Sequence, residues 1–223
     1  MRILVVEDDA LLARQLTGAL EAEGYSTDLA GDGESGEFLG MTEDYDTVIL
    51  DLRLPKMNGI TVLERWRAAK RDMPVLVLTA CGTWSEKVAG FDAAADDYVA
   101  KPFQIEEISA RLRALIRRAA GHAEATLDCG DFRLDTRTGR VTLNGRPVDL
   151  TAQEFRLLSY MMHHAGDVLS RTELVEHLYA RDDDPDSNTI EVFISRLRRK
   201  LGTARIETLK GQGYRLGNAI GAG

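Results

Sequence analysis

Residues 1–30 read MRILVVEDDALLARQLTGALEAEGYSTDLA and contain the pattern that decides the fold. An apolar run at Ile3–Val6 is followed by a stretch at about 10–23 whose apolar residues recur at helical spacing. A second run follows at Tyr25–Ala30. A buried strand, a helix and another strand, in this order, form the unit from which parallel sheets are built.

The same unit repeats to about residue 120. Runs rich in Val, Ile or Leu predict strands covered on both faces, because such strands lack alternating polar residues. Further runs occur at Val48–Leu50, Val75–Leu78 and Asp97–Val99, with helix-like segments at about 33–41, 59–70, 84–93 and 104–119. Five repeats predict an α/β doubly wound, flavodoxin-like domain, in which helices cover both faces of a parallel sheet.

The second half of the chain has a different pattern. Periodicity stops at residues 121–125, which predicts a short linker between domains at 1–120 and 126–220. Short strand candidates come first, and then Thr151 with Glu154 three residues later predicts a capping box at a helix start. Helices at about 151–164, 171–179 and 187–201 and a closing hairpin at about 205–217 follow. This is the order of an α+β winged-helix domain.

Length and composition limit the classes of protein. The 223 residues are 44% hydrophobic and 29% charged, which is ordinary for globular domains and excludes a disordered or fibrous chain. No apolar run approaches the roughly 18 residues that span a bilayer, and the acidic Glu7–Asp9 is unlike a secretory signal. Two cysteines, Cys81 and Cys129, provide no disulfide framework. We therefore expect a soluble, cytoplasmic protein without a membrane partner.

The charge is unevenly distributed along the chain. The formal net charge is −8, and residues 1–125 account for all of it, whereas residues 126–223 are balanced. Within the second half, residues 188–215 contain seven basic residues and two acidic ones. An acidic half joined to a locally basic half suggests two separate tasks, with nucleic acid as a candidate partner of the second.

Side chains that can bind a metal ion or take part in catalysis lie at the ends of four predicted strands: Glu7, Asp8 and Asp9, then Asp51, Thr79 and Lys101. Because the carboxyl ends of parallel strands meet at one edge of the sheet, we expect these groups to form one pocket. Crowded carboxylates repel one another, and a small divalent cation with few protein oxygens relieves the repulsion, which indicates Mg²⁺. A carboxylate beside Mg²⁺ can attack phosphorus, and Lys101 and Thr79 can bind the transferred oxygens.

Each of these residues also has an ordinary structural explanation. An acidic cluster in a loop is usually a solvated surface, Thr79 alone is a strand end, and Pro102 after Lys101 is a turn residue. Asp9 is placed to act only as an acid at a helix start, where the helix dipole favours it. The combination of the groups at four strand ends favours the functional interpretation.

Four segments of the first half resemble the receiver domain of two-component response regulators. They are Val5-Val6-Glu7-Asp8-Asp9, Leu50-Asp51-Leu52-Arg53-Leu54-Pro55 with Asn58-Gly59, Leu78-Thr79-Ala80, and Asp96-Asp97-Tyr98-Val99 with Lys101-Pro102-Phe103. The resemblance covers the whole first half. It implies that Asp51 accepts a phosphoryl group from a sensor histidine kinase.

The same resemblance assigns roles to the residues around Asp51. It implies an Mg²⁺ site formed by Glu7 (through water), Asp8, Asp51 and the backbone carbonyl of Arg53. Thr79 and Lys101 would contact the phosphoryl group. Tyr98 would act as an aromatic switch that moves inward when Thr79 moves toward the phosphate.

The segment at 187–201 has the pattern of an exposed basic helix. Its apolar residues recur at helical spacing and should face the core. The other face carries short polar residues and arginines: Asn188, Val192, Ser195 and Arg199, flanked by Arg196 and Arg198. Such a face fits a major groove, where Asn can read adenine and Arg guanine. A solvated, salt-bridged surface helix is the alternative for an isolated helix of this kind.

Context favours the nucleic-acid interpretation. Leu150-Thr151 with Glu154-Phe155, the helix segment, and Lys210-Gly211 with Gly213-Tyr214-Arg215 resemble the winged-helix effector domain of the OmpR/PhoB family. The resemblance spans about 126–217 and implies that 187–201 is a recognition helix for double-stranded promoter DNA. The hairpin around Gly211–Gly213 would be the wing, which reaches a minor groove, and Lys210 would contact phosphate. The segments at 84–92 and 188–192 are most similar to PhoP-type members.

The resemblance also implies a homodimer that forms on phosphorylation. Movement of Thr79 and Tyr98 would alter the face formed by the predicted fourth helix, the fifth strand and the fifth helix. Six charged residues on this face match positions of intersubunit ion pairs in the family: Lys87, Asp96, Asp97, Glu107, Arg111 and Arg118. Two effector domains would then occupy half-sites about one helical turn apart. Activation through RNA polymerase is expected, with the acidic loop Asp182–Asp186 as a candidate contact.

Two other functions use the same residues. An aspartate-nucleophile phosphatase usually carries a second acid two residues after the nucleophile, and Arg53 occupies that position. We therefore expect no enzyme, only slow self-phosphorylation and self-dephosphorylation at Asp51. A protein-interaction module without DNA would leave the basic helix and the wing without a purpose. Cys81, with only Lys101 placed to lower its thiol pKa, is expected to be structural or neutral rather than a redox sensor.

Overall fold

The structure, a computed structural model, describes residues 1–80, 94–122, 124–136, 138–178, 189–202 and 205–217 of the chain. The chain forms two compact units, Arg2–Ala119 and a second one that begins at Ala120. No helix in the described ranges is long and apolar enough to cross a membrane.

The first unit contains a five-stranded parallel sheet in the order β2-β1-β3-β4-β5. Its strands are β1 Arg2–Val6, β2 Ser26–Ala30, β3 Thr47–Asp51, β4 Val75–Ala80 and β5 Asp97–Lys101. Its described helices are α1 Ala10–Ala22, α2 Gly33–Thr42, α3 Gly59–Ala68 and α4 Ile105–Ala119. The prediction of a doubly wound α/β domain is confirmed, and the predicted helix at 84–93 lies outside the described residues.

Alternate residues of the strands enter two separate hydrophobic cores. Val6 lies in one core with Trp66 of α3, whereas Val5 lies in the other with Leu16 of α1 and Leu112 of α4. All five side chains are fully buried. Burial of one such side chain contributes about 1.5–3 kcal/mol relative to leaving it exposed. Burial on both faces is the physical reason why the strand runs lack polar alternation.

The second unit begins with an antiparallel sheet in the order β6-β7-β8-β9 and ends in the hairpin β10-β11. The strands are β6 Thr126–Cys129, β7 Phe132–Asp135, β8 Arg140–Leu143, β9 Arg146–Pro147, β10 Ile206–Leu209 and β11 Gly213–Leu216. The helices are α5 Ala152–His163, α6 Arg171–Leu178 and α7 Thr189–Leu201. The predicted winged-helix order is confirmed, and Cys129 is buried in β6.

The start of α5 shows the predicted capping box. Thr151 Oγ1 accepts the backbone N–H of Glu154 at 3.4 Å, and Glu154 Oε2 accepts the N–H of Thr151 at 2.9 Å. Lys200 of α7 donates to the same Glu154 oxygen at 2.7 Å, and Glu154 is 2% exposed. The cap therefore also links α5 to α7.

Candidate functional site

The strand ends of the first unit bring the predicted pocket residues to one edge of the sheet. Asp51 is the last residue of β3 and Lys101 is the last residue of β5. Glu7 directly follows β1, and Thr79 is the next-to-last residue of β4. Because all five strands are parallel, their carboxyl ends form a single edge, the usual ligand site in such sheets.

Three carboxylates converge at this edge. Glu7, Asp8 and Asp51 each offer one oxygen, and these oxygens lie within 4.8 Å of one another. Glu7 and Asp51 are buried and Asp8 is exposed. Among the residues that the structure describes, no other group of three His, Cys, Asp or Glu side chains could hold a metal ion. Hard oxygen donors in this number suit Mg²⁺, which retains several of its waters.

Lys101 supplies positive charge to the two buried carboxylates. Its Nζ donates to Asp51 Oδ2 at 2.6 Å and to Glu7 Oε2 at 2.7 Å. Burial raises the pKa of Glu7 above its usual value, although the hydrogen bond from Lys101 opposes this. Burial alone would lower the pKa of Lys101, but its bonds to Asp51 and Glu7 raise it. One ammonium for two buried acids leaves the edge with excess negative charge.

Asp9 belongs to the helix rather than to the carboxylate cluster. Its Oδ1 accepts the backbone N–H groups of Leu11 at 2.9 Å and Leu12 at 3.2 Å, which makes it the N-cap of α1. These two hydrogen bonds lower the pKa of Asp9. The prediction that Asp9 is an acid at a helix start is confirmed.

The loop after β3 is held close to Asp51 by its own backbone. Arg53 N–H donates to Asp51 Oδ1 at 3.2 Å, and Gly59 N–H donates to Leu52 O at 2.9 Å. A Cβ on Gly59 would lie 2.2 Å from the backbone oxygen of Asp51, so only glycine fits this approach. Farther along the loop, Lys56 Nζ donates to Asp32 Oδ2, the N-cap of α2, at 2.7 Å.

Tyr98 is the second residue of β5, opposite Val77 of β4, and packs against the core that contains Trp66. Burial, together with the charge of Asp96, raises the pKa of Tyr98 to about 12. The phenol is therefore neutral at physiological pH.

Four charged residues of the predicted dimer face, Asp96, Asp97, Glu107 and Arg111, are paired within the chain. Arg111 Nη1 donates to both carboxylate oxygens of Asp97, at 3.0 and 2.9 Å. Arg111 Nη2 donates to Glu107 Oε1 at 2.8 Å. Asp96 accepts from Arg67 of α3 at 3.0 Å. The pair between Arg67 and Asp96 could not be read from spacing, because these residues are distant in the sequence, whereas Glu107 and Arg111 are one helical turn apart.

The exposed face of α7 agrees with the helical pattern. Ile190, Ile194, Leu197 and Leu201 are buried, as expected. Val192, Ser195, Arg196 and Arg199 are exposed, and Val192 is 43% exposed although it is apolar. Lys210 is also exposed and directly follows β10 in the turn of the closing hairpin.

Arg198 differs from the other arginines of α7. It is half-buried, and its guanidinium donates to Ile206 O and Thr208 Oγ1 of β10. In the helical pattern of the sequence, Arg198 lies at the flank of the exposed face. That flanking position was the one available signal that this side chain reaches a neighbouring element.

Several predicted residues lie outside the described residues. They are Cys81, Lys87, Asn188 and the acidic loop Asp182–Asp186. The roles expected for them remain predictions.

Comparisons with known proteins agree with this architecture. The response regulator receiver domain model matches residues 3–113, and the model for the C-terminal domain of transcriptional regulatory proteins matches residues 145–216. The two-component response regulator PhoP of Pseudomonas aeruginosa is 42% identical over 218 residues, covering 96% of this chain and 97% of that protein. The transcriptional regulatory protein PmrA of Pectobacterium parmentieri is 44% identical over 216 residues, covering 97% of each.

A solved structure is also similar to the first unit. The receiver domain of the Francisella response regulator 1452 is 33% identical with a TM-score of 0.51, covering 53% of this chain and 98% of that chain. The relatives PhoP and PmrA are matched along nearly their whole length, through both units. The chain therefore belongs to the two-component response regulators, with a receiver domain followed by a DNA-binding transcriptional regulatory domain of the OmpR/PhoB type.

Proposed function

We propose that this response regulator accepts a phosphoryl group on Asp51 from a sensor histidine kinase and then regulates transcription from double-stranded promoter DNA. One observation carries the assignment of Asp51. Asp51 is 5% exposed at the sheet edge, and its carboxylate lies between Lys101 at 2.6 Å and two further acids. Glu7 is the other buried acid of this cluster and also bonds Lys101, but it follows β1, whereas Asp51 ends β3, the central strand of the sheet.

The donor set fits Mg²⁺. Asp8, Asp51 and the backbone carbonyl of Arg53 would hold the ion, with Glu7 acting through water. Supporting this, Glu7 and Asp51 are buried with only one ammonium between them, so a cation relieves their repulsion. When bound, the ion neutralises charge on the phosphoryl oxygens.

The chain's own residues provide the rest of the transfer chemistry. An oxygen of Asp51 attacks phosphorus, a carboxylate O–P bond forms, and the bond from phosphorus to the donor breaks. Lys101 would move from the Asp51 carboxylate to a phosphoryl oxygen, and the Thr79 hydroxyl would donate to another. Self-dephosphorylation should be slow, because Arg53 occupies the position where an acid would activate water.

Phosphorylation would promote a homodimer through the face that contains Asp96, Asp97, Glu107, Arg111 and Arg118, with Lys87. In the structure, Arg111 already binds Asp97 and Glu107 of its own chain. Dimerisation would thus exchange internal pairs for intersubunit ones. An exposed exchange of this kind contributes little energy, roughly 0–1 kcal/mol for each pair, but it sets the register of the two subunits. Tyr98 would act as the switch.

DNA recognition would use α7 and the turn after β10. Val192, Ser195, Arg196 and Arg199 would face the major groove, with Asn188 at the helix start. Lys210 would contact phosphate. Arg198, predicted as a further contact, is already bonded to β10. Support comes from the exposure of Val192, Ser195, Arg196, Arg199 and Lys210. The apolar Val192 can contact a thymine methyl group.

The remaining assignments complete the proposal. We place the domain boundaries at 1–120 and 126–220, with 121–125 as the linker, and the protein in the cytoplasm. Activation would proceed through RNA polymerase and the loop Asp182–Asp186. Charge reversal in that loop without loss of transcription would remove this contact from the scheme.

Intact mass spectrometry tests the phosphoryl acceptor. Wild-type protein with Mg²⁺ and acetyl phosphate should gain one phosphoryl group, whereas Asp51→Asn should gain none. Asp9→Asn is the matched control, because Asp9 caps α1 and should not be needed for transfer. A mass gain in Asp51→Asn, or none in folded wild-type protein, would show that the assignment is wrong.

Selection of binding sites from randomised duplex DNA tests whether the second domain recognises a specific DNA sequence. Phosphorylated wild-type protein should enrich a two-part site with half-sites about one helical turn apart. Affinity should fall steeply with salt, since each phosphate contact contributes a slope of about −0.9 in log K against log salt. Recovery of no preferred sequence would contradict DNA recognition.

A further inference from the structure

The closing hairpin β10–β11, here called the wing, is bonded directly to α7. Arg198 Nε donates to Ile206 O at 3.0 Å, and Nη2 donates to the same oxygen at 2.7 Å. Nη2 also donates to Thr208 Oγ1 at 2.6 Å. We infer that Arg198 is a positioning residue that sets the wing against the recognition helix, an inference that rests on the proposed DNA-binding function.

The neighbouring arginines of α7 lack such bonds. Arg199 is exposed and has no hydrogen bond or ion pair to any residue in the described ranges. Arg196 is exposed and lies over the ring of Phe193, with its Cζ 5.7 Å from the ring centroid. In α7, Arg196 and Arg199 are therefore exposed to a ligand, whereas Arg198 forms hydrogen bonds within its own domain.

The two strands of the wing are held by different elements. On β11, Tyr214 N–H donates to Leu169 O at 2.9 Å, and Leu169 N–H donates to Tyr214 O at 2.8 Å. A Cβ on Gly213 would lie 2.0 Å from Leu169 O, so β11 is in tight contact there. On β10, Arg198 provides the bonds to the recognition helix.

Arg198 lies close to the predicted phosphate contact through β10. Thr208 precedes Lys210 by two residues on the strand that leads into the turn. If β10 shifts, Lys210 shifts with it. A guanidinium can bond two acceptors at once because it is a planar fork, whereas a lysine ammonium is a single donor centre on a flexible stem. Arg198→Lys thus keeps the charge but loses the bridge between Ile206 and Thr208.

A double-mutant cycle measured on the selected duplex separates positioning from direct phosphate contact. In the wild-type background, Lys210→Ala should reduce the salt slope by about 1. In the Arg198→Lys background, the same change should have no further effect, because the wing is already displaced. Arg199→Ala is the control, and its effect should add to that of Lys210→Ala. Near-wild-type binding by Arg198→Lys, with a full additional loss from Lys210→Ala, would overturn the inference.

Amide hydrogen exchange tests the same inference without DNA. Arg198→Lys should accelerate exchange in peptides that cover residues 206–216 by about tenfold or more, while Arg199→Ala leaves them unchanged. Equal protection in both variants would contradict the positioning role. Because this measurement needs no duplex, it tests Arg198 even if wild-type protein selects no sequence, a result that would instead overturn the proposed function.

Discussion

At the scale of single residues, the pocket is defined by an imbalance of charge. Two buried carboxylates, Glu7 and Asp51, share one ammonium from Lys101 at 2.6–2.7 Å. Burial makes each unpaired charge costly, so the site is poised to bind a cation or to have one acid protonated. Burial is the largest cause of the raised pKa of Glu7, and the charge of Asp51 raises this pKa further.

Glu7→Gln should change how stability depends on pH. The folded pKa of Glu7 is raised, so the folded state binds this proton more tightly than the unfolded state does. Its stabilising contribution is complete below the unfolded value of 4.5 and is lost as pH rises through the folded pKa. Wild-type protein should therefore gain stability relative to Glu7→Gln as pH falls from 7 toward 4.5.

Urea unfolding followed by tryptophan fluorescence measures this difference, because both tryptophans, Trp66 and Trp84, belong to the first half of the chain. Asp9→Asn is the control. The pKa of Asp9 is lowered, so its contribution is lost only as pH falls below the ordinary value of 3.8, and its difference from wild type should be flat between pH 7 and 4.5. A pH-independent difference for Glu7→Gln would show that Glu7 is not perturbed.

At the scale of secondary-structure elements, the loop after β3 is positioned by close backbone contact. Gly59→Ala would place a Cβ 2.2 Å from the backbone oxygen of Asp51, and neither atom can move freely. We expect a loss of about 1–3 kcal/mol in the free energy of unfolding. Gly18→Ala is the matched control, because no atom lies within 4 Å of its added Cβ in α1.

In the control variant, a helical glycine becomes alanine at an exposed site, which should stabilise by about 0.5–1 kcal/mol. The same urea titration reports both changes. Gly59→Ala protein that is as stable as wild type would mean that the loop relaxes easily, and Asp51 would then not depend on this contact for its position.

Two adjacent residues of α7, Arg199 and Lys200, should affect different properties of the protein. Lys200 should affect the stability of the second domain, and Arg199 should affect DNA binding. Lys200 pairs with the buried Glu154 at 2.7 Å and also donates to Asp149 O, whereas Arg199 is exposed. Lys200→Ala leaves a buried carboxylate without its cation and should destabilise the second domain by about 1–3 kcal/mol. Arg199→Ala should leave stability unchanged and weaken DNA binding.

Denaturant-dependent hydrogen exchange in peptides of α5 measures the stability of the second domain, and a gel-shift titration measures binding. Lys200→Ala should reduce the protection of α5, and Arg199→Ala should reduce the DNA affinity without changing that protection. If Lys200→Ala reduces DNA affinity as strongly as Arg199→Ala while α5 keeps its protection, then the ion pair with Glu154 has no structural role.

At the scale of the whole molecule, the first half of the chain carries the net negative charge and the second half is balanced, and we expect phosphorylation to act through the proposed homodimer. Treatment with a phosphoryl mimic and Mg²⁺ should convert wild-type protein to a dimer at tens of micromolar in sedimentation equilibrium. Arg118→Glu should prevent this, because the exposed Arg118 stands on the predicted dimer face without an ion pair in the described part of the chain. Arg14→Glu, an equal charge reversal on the exposed surface of α1, is the control.

A dimer of Arg118→Glu with the same dissociation constant as wild type would exclude this face. Loss of the dimer in both variants would point to net charge rather than to a specific surface. The internal pair between Arg67 and Asp96 adds a competitor, because a cation of a second subunit would have to share this carboxylate with Arg67.

Much of this protein follows from its sequence alone. The buried runs around Val6 and Leu50 and the helical periodicity between them were sufficient for the sheet, since strand and helix periods depend only on local residue order. The capping box at Thr151 and the N-cap at Asp9 were also readable, because both sets of partners lie within three residues. The strand ends then placed Asp51 and Lys101 at one edge.

Only the tertiary structure decided which charges are paired. Lys101 with Glu7, Arg67 with Asp96, and Arg198 with β10 join residues that are far apart in the chain or on different elements. Periodicity places a side chain on a face, but a long cationic side chain reaches several acceptors around that face. Which acceptor it meets depends on how neighbouring elements pack, and packing is settled by contacts across the whole domain.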